Sequence, residues 1–258
     1  KEPARMSLML LPSRSLELAL AGKPKERSLV GPPMDVTATA LFPSLSESGG
    51  RVTGLRMPKD EPAWVLLDKS NMSGLAKQLE FLLQGIGSNQ RGLDPSVTID
   101  ESNGPVHIVD GSLIGPSVHI EGPSYIAGEV RHGAYVRSHS WICRGAVIGH
   151  ATEVKHSLLL PGAKAPHFNY VGDSILGRDV NLGAGCKLSN LRNDGREIRI
   201  HNLGIDTGLR KFGAILGEGV QIGCNAVCNP GTVLGQGCNV WPNVTVSGGH
   251  PSGSVLRE

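Results

Sequence analysis

Aromatic side chains are scarce: three Trp, three Tyr and four Phe make up 4 % of the 258 residues. Helical bundles and ordinary β-sandwiches build their cores from larger side chains, so this scarcity argues against both. No apolar run reaches the ~18 residues that span a bilayer. The run at residues 6–11 is broken by Pro12, Arg14 and Glu17, a poor match to the apolar stretch of a secretory signal. The formal net charge is only +2, too small to favour nucleic acid or an anionic membrane as partner. The five cysteines, Cys143, Cys186, Cys224, Cys228 and Cys238, are an odd number without a signal, which favours reduced thiols in the cytoplasm. Cys224 and Cys228 lack the second pair or His that would complete a zinc set.

What is abundant is glycine, at 35 of 258 positions, roughly twice the usual 7 %, and a period of six. Leu216, Ile222, Cys228, Leu234, Val240 and Val246 form one unbroken series; Val130, Val136, Ile142, Ile148, Val154 and Leu160 form another; Ile108, Ile114, Ile120 and Ile126 a third. Six is neither a helical repeat nor a plain strand alternation. It is the hexapeptide period, in which each short strand sends one small aliphatic side chain to a common interior. The fold class expected is all-β, a left-handed parallel β-helix of hexapeptide repeats, an exception to the usual right-handed crossover. Three hexapeptides close one coil, so residues about 18 apart stack. Cys228 lies on the inward series and is read as packing, since free Cys is among the most buried residue types.

The period divides the chain. Residues 1–66 are rich in Pro, Ser and charge and form an irregular segment, with loops at 28–34 and 44–51 and short strands expected at 36–41 and 63–67. Residues 67–96 hold a helix and a linker. The helix is expected over 70–87, with Ser70 or Asn71 as cap, Leu75, Leu79, Leu82 and Leu83 on one face and Gly85 ending it. Such a helix is expected to cover the open first coil. Residues 97–258 are the β-helix. Its register slips by two residues before Val130 and again after Leu160, resuming at Leu176, Leu182 and Leu188, and a polar excursion leaves the coil at about 189–212. Excursions and slips carry function more often than regular coils, so the site is expected between residue 160 and the excursion.

Spacing alone singles out Arg137 and Lys155, which are 18 residues apart with no break between them. They are expected one above the other and outward, about 4.8 Å apart. Two stacked cations repel unless an anion bridges them, and phosphate is a natural guest; two solvated surface cations are the plain alternative. Seven His from His107 to His167 invite a metal reading. His132 and His150 can stack, but no third ligand is placed and catalytic zinc needs three, so no metal is expected.

The segment PHFNYVGDSILGRDVNLGAGCKLSN, residues 166–190, places His167, Tyr170, a Gly-Asp pair, Val180-Asn181, a Gly-Ala-Gly triplet centred on Ala184, and Asn190 in one stretch. This stretch resembles the acetyltransferase half of the bifunctional enzyme that makes UDP-N-acetylglucosamine (glucosamine-1-phosphate N-acetyltransferase plus uridylyltransferase). Counting backwards without gaps, the resemblance sets that family's substrate Arg and Lys on Arg137 and Lys155. It implies that His167 is the general base for the sugar 2-amino group as it attacks the acetyl-CoA thioester. A neutral imidazole with pKa near 6.5 suits that task. Arg137 and Lys155 would then hold the sugar phosphate, Tyr170 and Asn181 would orient the sugar, and Asn190 would place the reacting groups. Ala184 would lie along the acetyl-CoA path.

The resemblance spans roughly residues 97–246 and has departures. Leu191 stands where the family often has Tyr, Cys224 where it has a small Ser on the acetyl-CoA-facing coil, and Pro242 near a small Ala; Arg196 is a loose match to a cation of that family. Nothing in residues 1–96 resembles the Gly-rich nucleotide loop of the uridylyltransferase half, and SGGRV at residues 48–52 is isolated. The implied protein is a cytoplasmic homotrimer that uses acetyl-CoA as co-substrate, acetylates an amino-sugar phosphate, and does not make UDP-sugars by itself. The rival readings are a non-catalytic module partnering a separate nucleotidyltransferase, and O-acyl transfer by the same base.

Overall fold

The period of six becomes three walls in the computed structural model, which describes residues 34–47, 51–52, 54–58 and 60–257. The broken run at 6–11, the expected loop at 28–34 as far as residue 33, and Ser48 to Gly50 of SGGRV lie outside the described residues. Within Met34–Glu258, one compact unit, three parallel sheets of eight short strands each run the length of the repeats. The first face runs from Val106–Ile108 to Gly249–His250, the second from Leu113–Ile114 to Val255–Leu256, and the third from Thr98–Asp100 to Thr245–Val246. Each strand pairs with the one a coil away, as Glu153 and Val154 pair with Tyr135 and Val136. This is the expected left-handed parallel β-helix. Its interior is a column of small aliphatics that includes Ile126, Val136, Ile148, Leu182, Leu216 and Cys228. Burial pushes the Cys228 thiol up to about 12, so the interior treats it as an apolar side chain.

One member of the expected inward series is corrected. Leu159, not Leu160, faces the interior, and Leu160 joins an outer cluster. The coil shortens one step earlier than the aliphatic pattern implies, because Leu158, Leu159 and Leu160 are consecutive and all buried. The inward series therefore runs on from Val154 through Leu159, Ala165, Val171, Leu176, Leu182 and Leu188, with two steps of five residues.

The first face is buried on both sides. Tyr125, Trp141, Leu158, Ile175, Ile215 and Val233 form its outer ridge and pack against Phe42, Trp64, Leu66, Leu75, Leu79 and Leu83 from the chain that precedes the repeats. Fully burying one such side chain contributes about 1.5–3 kcal/mol, so the ridge secures this arm. The arm is helical: α1 (Ala38–Leu41) and a 3₁₀ turn at Ala63–Leu67 stand where short strands were expected, and α2 (Pro43–Glu47) stands where a loop was expected. The Thr37 hydroxyl caps α1 by accepting from Ala40 N at 3.2 Å. The backbone N–H of Glu218 then donates to Leu41 O at 3.1 Å.

The third helix, α3, is shorter than expected, Leu75–Ile86. Ser70 and Ser73 spend their backbone N–H groups on the side chains of Asp68 and Asn71 in two local turns. Such turns compete with helix, so Gly74 becomes the cap, while Gly87 (φ +68°) rather than Gly85 ends the helix. Its Leu75, Leu79 and Leu83 lie against the outer ridge of the first face. The excursion folds back likewise, burying Ile198, Ile200 and Phe212 in the same cluster. Among the described residues no helix is long and apolar enough to cross a membrane.

Candidate active site

The two five-residue steps, from Val154 to Leu159 and from Val171 to Leu176, fall at the edge where the third face turns into the first. At each a non-glycine residue takes the left-handed conformation, His156 at φ +43° and Asp173 at +45°, at roughly 1–2 kcal/mol per residue. Both side chains are fully buried. His156 Nδ1 lies 2.7 Å from Asp173 Oδ1. Asn190 Nδ2 donates to Asp173 Oδ2, and Asn190 also hydrogen-bonds Tyr170. Tyr170 and Asn190 meet over Gly172, where an added Cβ would come within 2.7 Å of both Asn190 Nδ2 and Tyr170 Oη. The result is a continuous chain, His156–Asp173–Asn190–Tyr170.

Charges within this chain can be assigned. Burial pushes the His156 imidazole below its usual range, outweighing Asp173. Burial pushes Asp173 up, but the hydrogen bond and charge of His156 and the hydrogen bond of Asn190 hold it below the ordinary carboxylate range. Near neutral pH the pair is thus neutral imidazole and carboxylate. A carboxylate only accepts, so the imidazole proton sits on Nδ1. The lone pair is then on Nε2, a buried atom with no partner among the described residues. His139 stands edge-on to His156 with ring centroids 6.0 Å apart, and its Nε2 lies 3.3 Å from Glu80 on α3.

On the third face the expected stacking of Arg137 beside Lys155 follows from the pairing of Val136 with Val154. The two cations are not equivalent. Arg137 Nη1 donates to Glu153 Oε1 at 2.9 Å, and its Nε lies 3.8 Å from Glu121 Oε2. Lys155 has no ion pair among the described residues. Burial, then Lys211, Arg137 and Lys69, push its amine below the usual range, with only Asp173 opposing.

The other predicted residues follow a different edge, between the second and third faces. His167 ends a second-face strand in register with His150. Its N–H donates to Asn169 Oδ1 at 3.1 Å and its carbonyl accepts from Gly185 N at 3.0 Å. Its ring is exposed and makes no hydrogen bond among the described residues. Asn169 is buried and ties the turn down by donating from Nδ2 to Gly183 O at 2.7 Å. The chain therefore turns from the second face to the third between His167 and Tyr170. Asn181 pairs with Lys164 and Gln221 on the second face. Ala184 is half-buried and accepts from Asn225 N at 2.8 Å, while Cys224 on the next coil is exposed. Arg196 belongs to neither edge: its side chain is 81 % exposed, in the excursion beside Asp194.

Tyr170, Asn190, Arg137 and Lys155 thus lie along the third face, His167, Ala184 and Cys224 line the adjacent edge, and Asn181 stands on the second face. Sequence reasoning missed His156, Asp173 and Lys69. The signal for the first two was available in the short steps, where a polar residue stands two positions after an inward repeat. His132 and His150 do stack, with ring centroids 4.5 Å apart. Among the described residues no group of three His, Cys, Asp or Glu side chains is arranged to hold a metal.

No protein-family model matches the chain. It is 38 % identical over 116 residues to a bifunctional sugar-1-phosphate nucleotidylyltransferase/acetyltransferase of Sulfurisphaera tokodaii, a match covering 44 % of this chain and 29 % of the relative. It is 33 % identical over 149 residues to the bifunctional protein GlmU of Methylibium petroleiphilum, covering 57 % of this chain and 29 % of that one. The chain thus matches less than a third of the length of these curated relatives. Among solved structures, the acetyltransferase domain of PglB from Neisseria gonorrhoeae aligns with 80 % of this chain and 77 % of its own, at 14 % identity and a TM-score of 0.23.

Proposed function

We propose that the chain is an acetyl-CoA-dependent N-acetyltransferase whose acceptor is an amino-sugar phosphate, with glucosamine-1-phosphate as the first acceptor to test. The reading rests chiefly on one observation: the exposed, unengaged imidazole of His167 stands one turn from the ordered Tyr170–Asn190 pair and the unpaired Lys155. In this reading the His167 ring takes a proton from the acceptor nitrogen. That nitrogen forms a bond to the thioester carbonyl carbon, the carbon–sulfur bond breaks, and CoA leaves as the thiolate. Tyr170 and Asn190 orient the sugar, held in place by the buried Asp173, and Asn181 lies on the approach from the second face.

The edge below His167 suits a long, thin acyl donor. Gly183 and Gly185 flank Ala184, and a Cβ at Gly183 would come within 2.5 Å of Cys224 N, so this stretch carries no large side chain. On the following coils a shallow pocket of about 240 Å³ is walled by Gln221, Asn239, Trp241 and Pro242. We take the working assembly to be a homotrimer in the cytoplasm, with a neighbouring copy closing this groove.

The test is acceptor-dependent release of free thiol from acetyl-CoA. Wild type should release CoA with glucosamine-1-phosphate, and His167→Ala should lower kcat by roughly 100-fold or more. No acceptor-dependent release would sink the enzymatic reading for this acceptor and favour a binding module. Full activity in His167→Ala would remove the general-base assignment.

A further inference from the structure

In the chain from His156 to Tyr170, the Asn190 amide can sit two ways round. An amide is nearly symmetric in shape, so its partners alone decide whether oxygen or nitrogen faces a given neighbour. The backbone on both sides is already fixed: Phe212 N donates to Asn190 O at 3.0 Å and Gly213 N to Asp173 O at 2.8 Å. What remains open is a half-turn of the Asn190 amide.

Asp173 makes that choice. Its Oδ1 accepts from His156 Nδ1 at 2.7 Å, which leaves Oδ2 for Asn190. A carboxylate only accepts, so the Asn190 group that meets it is the N–H₂. The same nitrogen faces Tyr170: an added Cβ at Gly172 would lie 2.7 Å from Asn190 Nδ2 and 2.7 Å from Tyr170 Oη. Burial, then Glu153 and Asp173, push the Tyr170 phenol up, while the Asn190 hydrogen bond pulls it down, the sense of an N–H donated to the phenol oxygen. The Tyr170 O–H itself donates to nothing among the described residues, although the side chain is only half-buried. Glu153, in register with Tyr170, spends Oε1 on Arg137.

We propose that Asp173 is a positioning residue: by fixing Asn190 with its nitrogen toward Tyr170, it turns the Tyr170 O–H outward as a donor. The site then suits an acceptor molecule that offers an oxygen lone pair at that point. His156 holds Asp173 as the carboxylate this requires. The proposal rests on the acetyltransferase reading only for what occupies the site.

Asp173→Asn in the full chain tests this, because it keeps the shape and still accepts from His156 through Oδ1. Its new N–H₂ faces Asn190, whose amide turns half round to meet it with oxygen. That oxygen also accepts from Tyr170 and draws the O–H inward. In NMR without substrate, both Asn190 Nδ2 protons should exchange slowly in wild type and fast in Asp173→Asn. In Tyr170→Phe only one of the two should become fast, which keeps the test open if Asp173→Asn fails to fold. In acetyl transfer, Asp173→Asn and Tyr170→Phe should each raise the acceptor KM about three- to tenfold, the loss of one hydrogen bond. The double variant should be no worse than either single one, because both remove the same donor. A merely structural role for Asp173 would add to Tyr170→Phe. Fast exchange in wild type, slow exchange in Asp173→Asn, two slow protons in Tyr170→Phe, or additive KM losses overturn the proposal. The two readings fail separately. The expected exchange pattern without acetyl transfer removes the enzyme and leaves the positioning role. Acetyl transfer with additive losses leaves the enzyme and removes the positioning role.

Discussion

The coils from Ala214 to Val246 and those from Glu153 to Asn190 use the same repeat for different ends. In the later coils the left-handed corner positions are held by Gly219, Asn225, Gly231, Gly237 and Asn243, residues that take that conformation at least cost, and Thr232 is the one buried polar side chain. In the earlier coils His156, Phe168, Asp173 and Asp179 hold such positions beside Gly162 and Gly185, and Ser157, Asn169, Asp173, Ser174 and His156 are buried. A regular coil minimises strain; the short-stepped coil concentrates strain and buried polarity at one edge. Strain of this kind persists only where surroundings over-determine it, and here the hydrogen-bonded chain to Tyr170 supplies that constraint.

The contrast is sharpest at the buried His156–Asp173 hydrogen bond. Asp173→Ala leaves His156 and Asn190 without an acceptor in a buried setting and should cost about 3 kcal/mol in chemical denaturation. Asn243→Ala, at an exposed left-handed corner of the regular coils, should cost about 1 kcal/mol. Equal losses would erase the distinction between the two regions.

Two glycines separate steric from conformational cost. Gly172→Ala should destabilise by roughly 1–3 kcal/mol through overpacking, because its Cβ collides with Asn190 and Tyr170, and it should disturb acceptor binding as well. Gly237→Ala meets nothing within 4 Å and carries only the strain of φ +63°, about 1 kcal/mol or more with no effect on binding. A Gly172→Ala protein with wild-type stability and binding would show that the Tyr170–Asn190 contact is not tight.

The smallest effect is in pH. Burial holds His156 and His139 below the usual imidazole range. As pH falls below the unfolded value near 6.5, the unfolded chain gains protons that the folded one does not, so stability drops. Asp173, held low, contributes stability above an unfolded value near 3.9 that is lost as pH falls through its folded pKa. The melting temperature should therefore decline between pH 7.5 and 5, and His156→Asn should flatten part of that slope. An unchanged slope would mean that His156 is not held neutral by burial.

Much of the fold was legible because one small aliphatic must point inward every six residues. The misplacement of Leu160 shows where that reading fails: three consecutive leucines satisfy the period in more than one register, and only the pairing of Leu158 and Leu159 with Trp141 and Ile142 decides between them. The doubly buried first face was also written in the chain, as the doublets Tyr125-Ile126, Trp141-Ile142, Ile175-Leu176 and Val233-Leu234, in which an apolar residue precedes the inward one. The helix start was misread because Ser70 and Asn71 are as suited to local turns as to a cap.

At the candidate site the balance differs. Stacking of Arg137 with Lys155 needed nothing beyond counting, since parallel coils convert spacing into position. The ion pairs that compensate Arg137 and leave Lys155 unpaired could not be counted out, because they depend on which neighbouring carboxylates the rotamers reach.

By itself the sequence determined the β-helix, its interior column and the segment where regularity breaks, because these follow from a short-range period with one side-chain direction per strand. Only the tertiary structure decided that His156, Asp173, Asn190 and Tyr170 form one chain, and that Lys69, Lys155 and Lys211 meet at its side. Those residues come from the arm, three coils and an excursion. Their proximity is set by how the arm and excursion bury apolar side chains on the outer ridge, a packing outcome that no local period encodes.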